Sequence, residues 1–250
     1  GVNWDVTMIP AKFLGPSSGS TSDAIAALNY LTELKVLHGI NLVATNNSWS
    51  GGNFSVDLLN AINDGGDEDI LFVTVAGNGG TNNDSTPSYP GNYQCTNGGT
   101  RGWDCVVSVA AIDAVGALPV FSQYGATTVD LAAPGDAIIS TVPDDTYAAY
   151  SGTSMAAPHV AGAVALCASI NPALTAAQLR AAVVDTALPT ASLSGKTVTG
   201  GRLDVGTMVQ DCVVPTSGVS GSVDALATAT VARTSVALVW DDQATGETRF

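Results

Sequence analysis

Apolar and polar positions along the chain switch repeatedly between short continuous apolar runs and longer stretches with helical spacing. Val6 to Leu14 is a mostly apolar run closed by Gly15-Pro16, which predicts a buried strand followed by a turn. Ser20 to Asp23 offers N-cap chemistry, Ile25, Leu28 and Leu31 follow at helical spacing, and Gly39 is a natural stop. Leu42 to Ser48 predicts a second strand running into the Ser50-Gly51-Gly52 turn, and Val56 to Ile62 a second helix. Ile70 to Ala76 and Val106 to Ile112 are nearly all apolar, as strands buried on both faces of a parallel sheet are. Residues 128–142 read as two short strands around an Ala-Pro-Gly turn. Thr153 to Ile170 and Thr175 to Ala187 read as helices, the second capped by Thr175. Strands alternating with helices indicate an α/β fold built on a parallel sheet.

The texture changes after Cys212. Residues 213–222, rich in Pro, Ser and Gly, read as a linker. Beyond them Val236, Leu238 and Trp240 alternate with other residues, the pattern of a half-buried antiparallel strand with Trp240 as a core aromatic. Composition then narrows the class. With 46% hydrophobic and only 12% charged residues the chain is globular, and a net charge of −14 argues against nucleic acid or an anionic membrane as a partner. No apolar run reaches the ~20 residues that a bilayer span needs. Abundant Gly, Ala, Ser and Thr with few Lys suit a secreted bacterial protein. Cys95 and Cys105 flank a Gly-rich loop and read as a local disulfide of an oxidising compartment. A zinc site would want CxxC spacing or nearby His, and neither is present. Cys167 lies in an apolar helix, and its pairing with Cys212 is the weaker expectation.

One segment concentrates chemistry. In Ser151-Gly-Thr-Ser-Met-Ala-Ala-Pro-His-Val-Ala-Gly162, Gly152 allows a tight turn just before Ser154, and a helix starts at once. Ser154 then sits at the positive end of the helix dipole, beside oriented N–H groups, as a nucleophilic hydroxyl should. An isolated Gly-x-Ser would be an ordinary helix start; the whole string is not. It resembles the nucleophile motif of the subtilisin-like serine proteases, the subtilases. Three further segments resemble that family in order: Asn46 to Gly52 its substrate-binding strand, Val75 to Asn78 its oxyanion-hole turn, and Val129 to Gly135 the strand and turn ahead of the nucleophile.

The resemblance, over about residues 1 to 210, implies a three-layer parallel sheet with helices on both faces. It implies a secreted serine endopeptidase acting on polypeptides, expected as a monomer. Ser154 is the implied nucleophile and Asn78 the oxyanion donor. Ser48, Trp49, Ser50, Gly51, Ala76, Gly77, Ser88 and Thr153 are the implied substrate-binding positions. Ser88-Tyr89-Pro90 resembles the segment closing the S1 pocket, so Tyr89–Pro90 is expected cis and the floor small and uncharged, favouring Phe, Tyr, Leu or Met at P1. Subtilases often bind calcium. Asp130, with carbonyls near 104–106, resembles a weak site, although a solvent-facing Asp is an equal reading. The acidic run Asp64 to Asp69 reads as a solvated loop.

The family's Asp and His motifs do not occur. Of the two His, His38 ends a helix and His159 lies within the Ser motif, where the family's His is structural. The expectation is that residues 1–212 are a subtilase domain lacking its N-terminal part. Residues 223–250 resemble the opening strands of a fibronectin type III domain, an incomplete all-β sandwich segment. The alternatives are a catalytically inactive secreted binding protein with the subtilase fold, and an α/β-hydrolase esterase. The latter wants Gly-x-Ser-x-Gly with Asp and His downstream; here the fifth position is Ala156 and no suitable His follows.

Overall fold

The computed structural model describes residues 2–15, 18–95, 102–213 and the backbone of 234–240. Its elements are β1 (Val6–Pro10), α1 (Thr21–His38), β2 (Leu42–Ser48), α2 (Val56–Asp67), β3 (Leu71–Val75), β4 (Val106–Ile112), β5 (Leu131–Pro134), β6 (Ile138–Val142), β7 (Thr146–Tyr150), α3 (Thr153–Ile170), α4 (Ala176–Asp185), β8 (Leu188–Pro189), β9 (Gly201–Arg202), α5 (Val205–Val213) and β10 (Thr234–Trp240). The main sheet runs β1-β10-β2-β3-β4-β5-β9-β8, parallel except for the β8–β9 pair, and β6–β7 form a separate antiparallel hairpin.

The period of two decides which helix covers which face. On β3, Leu71, Val73 and Val75 join Val107 and Val109 of β4 under α3, α4 and α5. Phe72 and Val106 point the other way, into a cluster with Leu28 of α1 and Leu58, Leu59 and Ile62 of α2. These are the expected three layers. Because both faces are covered, every residue of β3 and β4 is buried, which is why these strands read as nearly all apolar, with only Thr74 and Ser108 polar. Among the described residues α3 alone has the length and apolarity of a membrane span. Here it is the central core helix, with Ala156, Ala157, Val160, Ala161 and Val164 wholly buried against the sheet.

Local chemistry explains the helix ends. Ser20 accepts from the Asp23 N–H, Ser55 from the Leu58 N–H, and Thr175 and Gln178 form a capping box on α4. Gly39 ends α1 in the left-handed conformation. Both disulfides form. Cys95–Cys105 (Cα–Cα 5.4 Å) closes the loop before β4, and Cys167–Cys212 (5.5 Å) ties α3 to α5. The Tyr89–Pro90 peptide bond is cis.

Three expectations need correction. The run from Val6 is a strand only to Pro10 and, among the described residues, lies at the sheet edge, where Met8 is largely exposed. The acidic run is not a loop. α2 continues through Asp67, with Gly65 and Gly66 buried and Gly65 close to Thr32 of α1. Asp69 instead caps another helix, its carboxylate accepting from the Ala176 N–H at 2.7 Å. Finally, residues 234–240, expected as an antiparallel strand, pair otherwise. β10 lies between β1 and β2 and pairs parallel with both. Alternation identifies a strand but does not encode its partners. The linker from residue 214 and residues 223–233 and 241–250 lie outside the described residues.

Candidate active site

β2, β3 and the start of α3 converge at the carboxyl end of the sheet, where open parallel sheets place their ligand crevices. β2 ends at Ser48, β3 runs into Ala76-Gly77-Asn78, and α3 opens at Thr153 with Gly152 as its N-cap. Ser154, in the first turn, faces β2: its Oγ lies 3.5 Å from the Ser48 carbonyl, and the Ser48 hydroxyl donates to the Ser154 carbonyl at 3.0 Å. The Ser154 N–H belongs to the first helical turn, where no intrahelical acceptor exists, so it is available to a ligand.

Asn78 is held by one residue. Its Oδ1 accepts from the Thr153 N–H at 2.8 Å and from the Thr153 hydroxyl at 2.9 Å, and the same hydroxyl accepts from the Gly77 N–H at 3.3 Å. With the oxygen committed, the Nδ2 donor is the group left to face outward from an exposed side chain. Gly152 leaves room for this amide, since a Cβ there would stand 3.3 Å from Asn78 Nδ2. A nucleophilic hydroxyl and two fixed N–H donors, one from Ser154 and one from Asn78, are thus brought to one spot. That combination suits attack on a carbonyl and stabilisation of the resulting oxyanion.

Around it, the segments 48–52, 76–78 and 88–90 adjoin one another. Gly51 donates to the Tyr89 carbonyl at 3.2 Å, and Gly52 bridges Tyr89 in antiparallel fashion. Ser88, half-buried, places its Oγ beside Gly77. Ser50 and Gly51 are exposed. Of the other expected substrate-binding residues, Trp49 packs edge-on against Phe13 at 5.3 Å and Ala76 lies in the core. Thr153 is fully buried and its hydroxyl donates to Asn78 Oδ1.

Neither His reaches this spot in the manner of a base. His159 uses Nδ1 on the carbonyl of Met155 in its own helix, and His38 is exposed at the end of α1. Asp130 also has a different role from that expected. Its Oδ1 lies 2.7 Å from Arg180 Nη2 and its Oδ2 accepts from the Ser108 N–H, while Arg180 Nε donates to the Val106 carbonyl. The guanidinium stands where a cation held by Asp130 and that carbonyl would stand, so these residues do not fit a calcium ion. Burial pushes the Asp130 carboxyl up to about 6 against the pull of Arg180. Burial likewise raises neighbouring Asp104, 3.7 Å from the same guanidinium. Arg180 went unread in the sequence because nothing local marks a partner 50 residues away.

Comparison with known proteins agrees with this geometry. Residues 1–224 match the model of the subtilase family. The chain is 34% identical to subtilisin DY of Bacillus licheniformis over 189 residues, covering 75% of this chain and 63% of that protein. It is 36% identical over 211 residues to an extracellular protease of Xanthomonas campestris pv. campestris, covering 78% of this chain and 34% of that protein. A solved protease of Pseudoalteromonas arctica PAMC 21717 superposes with a TM-score of 0.64 at 26% identity, covering 78% of this chain and 60% of that one. The chain therefore spans less than two thirds of the length of each of these relatives, and it belongs to the subtilase family.

Proposed function

We propose that this chain is the nucleophile-bearing part of a secreted serine endopeptidase. The observation that carries the reading is the convergence of Ser154, at the start of α3, with the Asn78 amide locked by Thr153. Ser154 Oγ attacks the scissile carbonyl of a polypeptide. The oxyanion of the tetrahedral intermediate accepts from the Ser154 N–H and from Asn78 Nδ2. In subtilisin itself, losing the corresponding Asn donor costs ~10²–10³ in turnover. The proton of Ser154 needs a base that neither His38 nor His159 provides, so the general base and its carboxylate partner come from polypeptide outside these 250 residues. The two disulfides support an oxidising, extracellular setting. The slot bounded by Ser48 to Gly51, Ala76-Gly77 and Ser88 carries no charge for Lys or Arg, which supports an apolar P1 residue.

The test uses the full-length protein and peptide p-nitroanilides. Turnover is expected, with loss to background in Ser154→Ala and no change in its far-UV circular dichroism. A sulfonyl fluoride is expected to label Ser154 in the full-length protein and not in the 250-residue chain, where the hydroxyl lacks its base. Parental turnover in Ser154→Ala would remove Ser154 from the mechanism. A full-length protein without turnover or labelling would favour the inactive binding protein.

A further inference from the structure

The turn that carries Asn78 begins at the buried Gly77 with φ +116°, exposes Asn78 and Gly79, and includes Gly80 at φ +67°. Left alone, such a turn would not hold a donor still. Thr153 fixes the end of the Asn78 side chain, but the backbone that carries it is fixed by a different residue. Gln123, buried on the connection between β4 and β5, bonds to both neighbours of Asn78. Its backbone N–H donates to the Gly77 carbonyl at 2.9 Å, and its Oε1 accepts from the Gly79 N–H at 3.3 Å. Its Nε2 donates to Asn83 Oδ1 at 2.7 Å and to Thr81 Oγ1 at 3.0 Å. Asn83 closes the ring, donating from Nδ2 to the Ala76 carbonyl at 2.9 Å.

The orientation of this carboxamide is forced. Turning it over would aim Nε2 at the Gly79 N–H, donor against donor, and Oε1 at the Asn83 oxygen. Gly77 and Gln123 also fit each other sterically. A Cβ on residue 77 would overlap Oε1 and stand 2.7 Å from Cδ of Gln123. The glycine that lets the turn form is therefore also the gap into which the carboxamide seats.

We infer that Gln123 is a positioning residue for the oxyanion donor: its carboxamide sets the backbone of 77–79 so that Asn78 Nδ2 points at the site where negative charge develops. This rests on the role given to Asn78 above. Gln123 touches neither substrate nor reacting atoms, so its effect belongs to the transition state and not to substrate binding. A donor misplaced by about 1 Å can cost on the order of 10²-fold in rate.

The experiment is a cycle of four full-length proteins: parent, Asn78→Ala, Gln123→Met and the double variant. Met keeps the length and volume of Gln and removes every side-chain hydrogen bond. Gln123→Met is expected to lower kcat roughly 10-fold or more, with KM within about twofold. In the Asn78→Ala background the same change is expected to leave kcat within about twofold, because the donor it positions is gone. Gln123→Glu, which keeps the Oε1 acceptor for Gly79, is expected to retain more activity than Gln123→Met. It also serves as the test variant should the Met protein fail to fold. An equal fall in kcat in both backgrounds, or parental kcat in Gln123→Met, would overturn the inference. Parental kcat in Asn78→Ala alone would instead overturn the role of Asn78, which separates the two failures.

Discussion

Replacing Arg180 by Met leaves a carboxylate in the core without its counter-ion. In the parent, Arg180 Nη2 lies 2.7 Å from Asp130 and Nε donates to the Val106 carbonyl at 3.1 Å. Removing one partner of a buried pair costs about 3–5 kcal/mol. The Arg180 side chain keeps 21% of its exposure and that of Asp130 11%, which points to the lower end, about 3 kcal/mol. With a urea slope near ~2 kcal/mol per M, the midpoint should fall by about 1.5 M at pH 8. The dependence on pH follows from the direction of the Asp130 shift. A carboxyl raised to about 6 in the fold, from about 4 unfolded, gives stability that is fully present below pH ~4 and lost as pH rises through ~6. Without the guanidinium, the folded value rises further. At pH 5, Asp130 is therefore mostly protonated in both proteins, and the gap should shrink to the lost bond at Val106, about 1 kcal/mol. Asp130→Asn in the Arg180→Met background should recover most of the loss at pH 8. Urea titrations followed by tryptophan fluorescence at both pH values measure all three quantities. A gap that is the same at pH 5 and pH 8, or no recovery on adding Asp130→Asn, would refute the reasoning.

Two further expectations concern the covalent frame and the slot. Cys167–Cys212 spans 45 residues and Cys95–Cys105 spans 10. Loop entropy then ranks the first at about 4 kcal/mol and the second at about 3, so the double Ala variant at 167 and 212 should show the larger drop in urea midpoint; the reverse order would contradict the ranking. A P1 scan with the full-length protein should give the best kcat/KM for Phe, Tyr, Leu or Met, because an uncharged slot gains about 25 cal/mol per Å² of apolar surface buried. Best cleavage after Arg, Lys or Asp would refute the reading of Ser88 as its floor.

The parts of the fold that were legible are those whose cause is local. β3 and β4 could be read because a strand covered on both faces needs an apolar residue at nearly every position. Thr175 announced α4 because an N-cap is a local signal, and the structure completes it with Gln178 within four residues. The errors arose where a neighbour far along the chain decided the outcome. The Gly65-Gly66 pair is unfavourable in a helix, yet α2 passes through it, with both glycines buried and Gly65 next to Thr32 of α1. The apolar run at Val6 resembles a buried strand, but burial depends on what packs over the sheet faces, and among the described residues β1 is an edge strand whose residues are exposed or half-buried. The segment Thr234 to Trp240 carried the alternation of a strand and no information about its partners, so its parallel place beside β2 was not readable.

The same division runs through the site. Ser154 stands out in the sequence because the whole string from Ser151 to Gly162 is contiguous, and its helix start is local. The machinery that makes the position precise is built across distance. Thr153 reaches Asn78 over 75 residues, Ser48 reaches Ser154 over 106, and Gln123 reaches Gly79 over 44. None of these pairs has a period or a spacing that a sequence can display. A buried Gln in a loop is indistinguishable from a solvated one until the turn it supports is in place. The connection from β4 to β5 carries no motif, yet it holds the residue whose bonds reach both neighbours of Asn78, so its contribution is visible only once the chain is folded.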